Sequence, residues 1–271
     1  MLRTTRHELL RPFVLIGALM LCSQGCAALH AALDPTSGFL SYEDRRVRYE
    51  PGAEALARQT ADALPGAIAT VEQSLGSPFP DPVEIYVAAS EERYAELANA
   101  PEDTRGAVTR KLFISPRVLR PAFTGTLPAV LSHELSHLHL QQHLGYQGRR
   151  GRLPAWFDEG LAEAVSGGCG GSTVSVTAAT EAIANGVKLK PNDSGSVFRY
   201  QDERTYGLER GMFYRQSGMF VEFLRDRDRQ VFSMFLKRIE AGGTFAREFR
   251  QSFGMTVEDA WGKFEKPIKT L

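Results

Sequence analysis

The chain has 271 residues, 43% of them hydrophobic and 24% charged, which is enough apolar material for one large core or two small lobes. Lysine plus arginine and aspartate plus glutamate balance at 32 each, so no basic excess points to nucleic acid and no acidic excess to a solvating tail. There is no internal repeat, heptad array or long low-complexity run.

Arg3, Arg6 and Arg11 precede an apolar run at residues 13–22. That run is shorter than the roughly 20 residues a membrane-spanning helix needs. A basic start, a short apolar run and small residues after it read as a secretory signal. Cys26 after Gly25 resembles a bacterial lipoprotein cleavage site, in which the cysteine carries lipid; Ser23 departs from the leucine usual there. The alternative is ordinary cleavage just downstream. The expected organisation is a signal peptide at 1–26, a linker at 27–45 that includes His30, and one folded domain at 46–271. The protein is then expected in the bacterial cell envelope, tethered through Cys26, or else periplasmic or secreted. The three cysteines provide no disulfide framework, because Cys22 leaves with the signal and Cys169 lies in a glycine-rich turn.

In chain order, residues 46–49 are a possible strand, and 53–76 have helical spacing with an interruption near Pro65-Gly66. A proline-punctuated loop at 77–82 leads to an alternating strand at 83–90 and a helix capped by Ser90. Residues 106–116 read as one further strand. Residues 127–145 form a strong helix stopped by Gly145, followed by a basic loop at 146–154 and a short helix at 155–167 closed by Gly167. The stretch 169–198 is polar and has no assignment. Helices follow at 209–227, 229–243 and 256–268. Strands come early and helices late, which gives an α+β fold: a small N-terminal sheet-bearing lobe, a helical C-terminal lobe, and a cleft between them for a substrate.

The chemistry centres on "LSHELSHLHL", residues 131–140, in a chain with six histidines. His133 and His137 are spaced i, i+4, so a helix presents both imidazoles on one face, close enough to share an ion. Glu134 can approach the open side of that ion and take a proton from an activated water. This is the HExxH pattern of zinc metalloproteases. Leu131, Leu135 and Leu138 form an apolar face that packs the helix against a core. A catalytic zinc site needs a third ligand. Glu159 and Glu163, again i, i+4, can supply it: one completes the shell and the other bonds the outer nitrogen of a ligating histidine. Spacing alone does not say which. Trp156, Phe157, Leu161 and Val165 would hold this second helix against the first. His139 points away from the metal face, His143 is expected at the surface, and Arg149, Arg150 and Arg152 read as a solvated loop.

"HELSH" followed by "PAWFDEGLAE" resembles the gluzincin metallopeptidases, the group of thermolysin-like and aminopeptidase-N-like enzymes. The resemblance spans roughly residues 83–224. It implies a gluzincin fold over 46–271 that binds one Zn²⁺ per chain. His133, His137 and Glu159 would be the ligands, Glu134 the general base, and Glu163 a partner behind a ligating histidine. Asp158 stands where aminopeptidases often have Asn, which removes no ligand. "YRQSG" is similar to a segment that in these proteins follows the glutamate helix, and it makes Tyr214 the candidate oxyanion donor, with Tyr206 the alternative. The strand at 106–116 matches the edge strand that pairs with an extended peptide. The implied activity is peptide-bond hydrolysis. Two other readings stay open: a catalytically degenerate peptidase fold serving envelope assembly or binding, and a hydrolase of a cell-wall amide.

Overall fold

The computed structural model describes residues 34–168, 173–196, 198 and 201–269. The stretch read as a signal peptide, with Cys22 and Cys26, lies outside the described residues, as do His30 and Cys169. The chain divides into a short N-terminal unit ending at Phe39 and a main unit from Leu40 onward. In the first, residues 34–39 make a turn in which Asp34 Oδ1 accepts from the Thr36 amide at 2.9 Å.

The main unit opens with a five-stranded sheet in the order β1-β2-β3-β5-β4. Its strands are β1 (Leu40–Ser41), β2 (Val47–Tyr49), β3 (Ile85–Val87), β4 (Gly106–Val108) and β5 (Leu112–Ile114). β1 thus falls inside the stretch read as a linker, and it pairs antiparallel with β2. β2, β3 and β5 run parallel. Parallel neighbours need a crossover, and α1 (Glu54–Leu75) and α2 (Glu91–Ala98) supply two. Ile85, Tyr86 and Val87 of the central β3 are all buried, as a strand covered on both faces requires. β4 and β5 form an antiparallel hairpin over the stretch expected to be one strand. Thr109 N donates to Lys111 O across its turn, and β4 becomes the outer edge of the sheet.

α1 runs unbroken through Pro65, against the expected interruption. Pro65 and Gly66 are exposed, while Leu56, Ala57, Leu64, Ala67, Val71 and Leu75 keep a continuous buried stripe. Burial of that stripe outweighs one lost hydrogen bond on the solvent side. Ser90 caps α2 as its sequence suggests, its side chain accepting from the Arg93 amide.

The helical lobe comprises α3 (Leu127–Leu144), α4 (Tyr146–Arg152), α5 (Ala155–Val165), α6 (Val176–Ala184), α7 (Arg210–Arg227), α8 (Arg229–Glu240), α9 (Phe245–Phe253) and α10 (Val257–Ile268). α3 ends at Gly145, whose φ of 74° an L side chain rarely adopts. Every residue from Val130 to Gln141 is buried, because α1, α5, β4 and α8 surround the helix. α4 replaces the basic loop. α6 forms in the stretch without an assignment, and α9 has no counterpart in the sequence-based expectation. Phe245 and Phe249 of α9 are buried beside Trp156, Phe157 and Phe235, with Phe157 and Phe245 ring centroids 4.9 Å apart. This aromatic core joins α5, α7, α8 and α9. No helix among the described residues is long and apolar enough to cross a membrane.

Candidate metal centre

α3 places the His133 and His137 rings side by side, with centroids 5.0 Å apart. α5 crosses beneath them. It is anchored by Trp156, whose Nε1 donates to Asn192 O at 2.8 Å. The crossing with α7 is close because it runs through glycines. A Cβ on Gly160 would come within 2.5 Å of Ser217 O, and one on Gly218 within 2.9 Å of Glu163 Cβ. Held there, Glu159 Oε2 lies 3.4 Å from His133 Nε2 and 3.3 Å from His137 Nε2. One ligand atom from each of the three residues falls within a 4.8 Å span.

Both histidines have a carboxylate from α5 behind them. His137 Nδ1 donates to Asp158 Oδ1 at 3.0 Å, and Glu163 Oε1 stands 3.7 Å from His133 Nδ1. Sequence reasoning placed Glu163 behind a histidine but missed Asp158. The one sequence cue was its place next to Glu159 on the same helical turn. Asp158 in turn lies 3.4 Å from Arg149 Nε. Arg149 is buried, which corrects the reading of 149–152 as a uniformly solvated loop: α4 turns this one guanidinium inward to meet Asp158. His143 is half-buried rather than at the surface, because the end of α8 covers that part of α3. His139 is fully buried and is not part of the cleft triad.

The charges explain why a cation suits the triad. Burial raises the pKa of Glu134, partly opposed by the two imidazoles. Burial alone would lower that of His137, but Asp158 and Glu159 outweigh it and push it up to about 10. Asp158 is held below the usual carboxylate range despite burial, by Arg149 and then His137; Glu159 is likewise lowered, by His137 and His133. Asp158 and Glu159 therefore hold a proton on His137 as compensating positive charge. A divalent ion among two imidazole nitrogens and a carboxylate oxygen would supply that charge instead, and this donor set suits zinc-like metals.

The triad opens into a pocket of about 310 Å³ between the sheet lobe and the helical lobe. Its walls include Gly106–Thr109, Glu134, Arg149, Arg204, Arg210 and Tyr214. Gly106 lies so close to Glu134 that a Cβ there would come within 2.7 Å of Glu134 Cγ. Bonds from Ser115 N to Arg105 O and from Thr109 N to Lys111 O fix the hairpin's alternation. That alternation turns the backbone groups of Gly106 and Val108 away from β5, toward the open edge.

The two candidate tyrosines separate. Tyr214 lines the pocket, its ring 6.1 Å from that of His133. Tyr206 is buried against Phe213, and its hydroxyl lies 2.8 Å from Asn192 Oδ1 and 3.1 Å from Gln201 Oε1. The arrangement can coordinate a divalent ion beside a buried carboxyl group, which is compatible with metal-dependent hydrolysis. No protein-family model matches the chain, and no curated protein matches it.

Proposed function

We propose that this chain is an exported, zinc-dependent metallopeptidase of gluzincin type. The observation that carries the reading is the convergence of His133 Nε2 and His137 Nε2 on Glu159 Oε2, with Glu134 beside them at the wall of an open cleft. His133, His137 and Glu159 would hold the zinc ion. When bound, that ion supplies a Lewis acid that acidifies a water and polarises a substrate carbonyl. Glu134, beside the triad at the wall of the cleft, takes the proton of the attacking water and passes it to the departing amine as the C–N bond breaks. Asp158 and Glu163 fix the imidazoles in their ligating orientation. Tyr214 donates to the developing oxyanion. The outward backbone groups of Gly106 and Val108 pair with an extended peptide laid along β4.

Export rests on the basic and apolar start of the chain, with Cys26 as the lipid-bearing residue that tethers the protein to the cell envelope. The open cleft favours an enzyme over a degenerate binding protein. The test is hydrolysis of casein and of peptidoglycan fragments by zinc-loaded protein, with Glu134→Gln as control. Casein cleavage lost in Glu134→Gln is the expected result. Cleavage of peptidoglycan alone would move the substrate to a cell-wall amide, and no turnover of either would leave a binding protein.

A further inference from the structure

α3 carries a second histidine pair with the same i, i+4 spacing, His139 and His143. Two residues further along a helix is more than half a turn round it, so this pair lies away from the cleft. There the end of α3 meets the end of α8 and the residues that follow α1. One ring nitrogen from each histidine and one carboxylate oxygen of Glu240 lie within 4.8 Å of one another. The rings are 4.7 Å apart between centroids.

The protonation pattern is that of a ligand set. His139 Nε2 is 3.1 Å from Ser77 O. A carbonyl only accepts, so Nε2 carries the ring proton and Nδ1 presents a lone pair. Histidines that bind metals commonly make this outer bond to a backbone carbonyl. His139 Nδ1 is buried without a hydrogen-bond partner among the described residues, and so is His143 Nε2. Glu240 Oε1 stands 3.9 Å from His139 Nδ1, too far for a hydrogen bond. Ser77 Oγ donates to that carboxylate at 2.9 Å, which orients it. Buried ring nitrogens rarely go without partners. Tetrahedral zinc, with ligands about 2.0–2.2 Å away, separates ligand atoms by about 3.3–3.6 Å, so small side-chain rotations would close the triad on one ion.

We propose that His139, His143 and Glu240, with a water as the fourth ligand, form a second divalent-cation site of zinc-binding chemistry that clamps the chain after α1 and the end of α8 to the end of α3. Its ligands are disjoint from those of the cleft, so it stands or falls apart from the peptidase reading. The ion takes up both unpartnered nitrogens and compensates the buried carboxylate.

The test is zinc stoichiometry by plasma mass spectrometry on the full chain, stripped with chelator, reloaded with Zn²⁺ and desalted. The unmodified chain should hold two ions. His133→Ala/His137→Ala should hold one, lost on adding His143→Asn and Glu240→Gln. Co²⁺ in the double variant should give the visible absorption of a tetrahedral site, and Zn²⁺ should raise its Tm in a concentration-dependent way. If that variant does not fold, His143→Asn in the otherwise unmodified chain should lose one of the two ions; its half-buried position makes the change mild. One ion in the unmodified chain, lost with His143 but kept without His133 and His137, would support the clamp and sink the cleft assignment. A folded double variant with no zinc, or a His143→Asn chain that keeps its full complement, would overturn the proposal and leave a water bridging the three groups.

Discussion

Asp158 Oδ1 accepts from His137 Nδ1 at 3.0 Å, and its other oxygen faces Arg149 Nε at 3.4 Å. The bond does two things at once. It keeps a proton on Nδ1, so that Nε2 is the nitrogen left to give up its proton to an incoming ion, and it places a negative charge behind the ring that strengthens it as a donor. Asp158→Ala should therefore weaken zinc binding at the cleft by about 10–100-fold. Asp158→Asn keeps the acceptor but not the charge and should fall between Ala and the unmodified chain. Competition with a chelator of known affinity reads the order. Unchanged affinity in Asp158→Ala would show that the bond does not tune the site.

Gly160 is where α5 touches the backbone of α7, and an added methyl would meet Ser217 O at 2.5 Å. An alanine in a helix interior is ordinarily worth about 0.5–1 kcal/mol over glycine. Here the opposing atoms are backbone and cannot rotate away, and overpacking costs about 1–3 kcal/mol. The balance is a net loss of stability, and the shift of α5 also moves Glu159 and Glu163. Gly160→Ala should lower the urea midpoint and the zinc affinity together. A midpoint that stays level or rises would mean that the helices separate freely.

The spacing of His133, Glu134 and His137 was legible because one helix carries all three, and the i, i+4 rule needs nothing else. The two-lobe α+β order was legible for a similar reason, since alternating strands precede long helical patterns. The roles of Arg149 and Asp158 were not, because a basic run reads as solvated unless the turn that buries one of its members is known. The β4–β5 hairpin was hidden in a continuous run of eleven residues whose turn, Thr109-Arg110-Lys111, has no glycine or proline. Pro65 misled in the other direction: it marks a break in an isolated helix, but tertiary burial of the opposite face carries α1 through it. Gly106 gave no signal of its own, since its closeness to Glu134 is a contact between distant parts of the chain.

The tyrosines give opposite signatures. Tyr206 is buried with its hydroxyl beside Asn192 and Gln201. Tyr206→Phe should cost about 0.5–1.5 kcal/mol of stability by removing the hydroxyl's bonds to the half-buried Asn192 and Gln201, with little effect on turnover. Tyr214 lines the cleft beside His133. Tyr214→Phe should keep the Tm and lower kcat by about 10²–10³-fold, the usual effect of removing one oxyanion donor. Paired melting and steady-state assays decide it, and a slower Tyr206→Phe enzyme with an unaffected Tyr214→Phe would exchange the roles.

The two glutamates of α5 share a helical face but differ in reach. Glu159 Oε2 is 3.3–3.4 Å from both Nε2 atoms, whereas Glu163 Oε1 stands 3.7 Å from the outer nitrogen of His133. A ligand contributes a direct bond and one compensating charge, so its loss leaves an ion on two imidazoles. A carboxylate behind a ligand acts through orientation and basicity, worth about 10–100-fold. Glu159→Ala should therefore release the cleft ion at a chelator concentration that Glu163→Ala withstands. Glu134→Gln, altered only in its capacity for proton transfer, should keep the ion throughout while losing about 10²–10⁴-fold in rate. Carrying His143→Asn in every chain leaves the cleft ion alone in the titration. If Glu163→Ala empties the cleft first, the ligand and its support are reversed, and α5 must sit one turn further along α3 when the ion is bound.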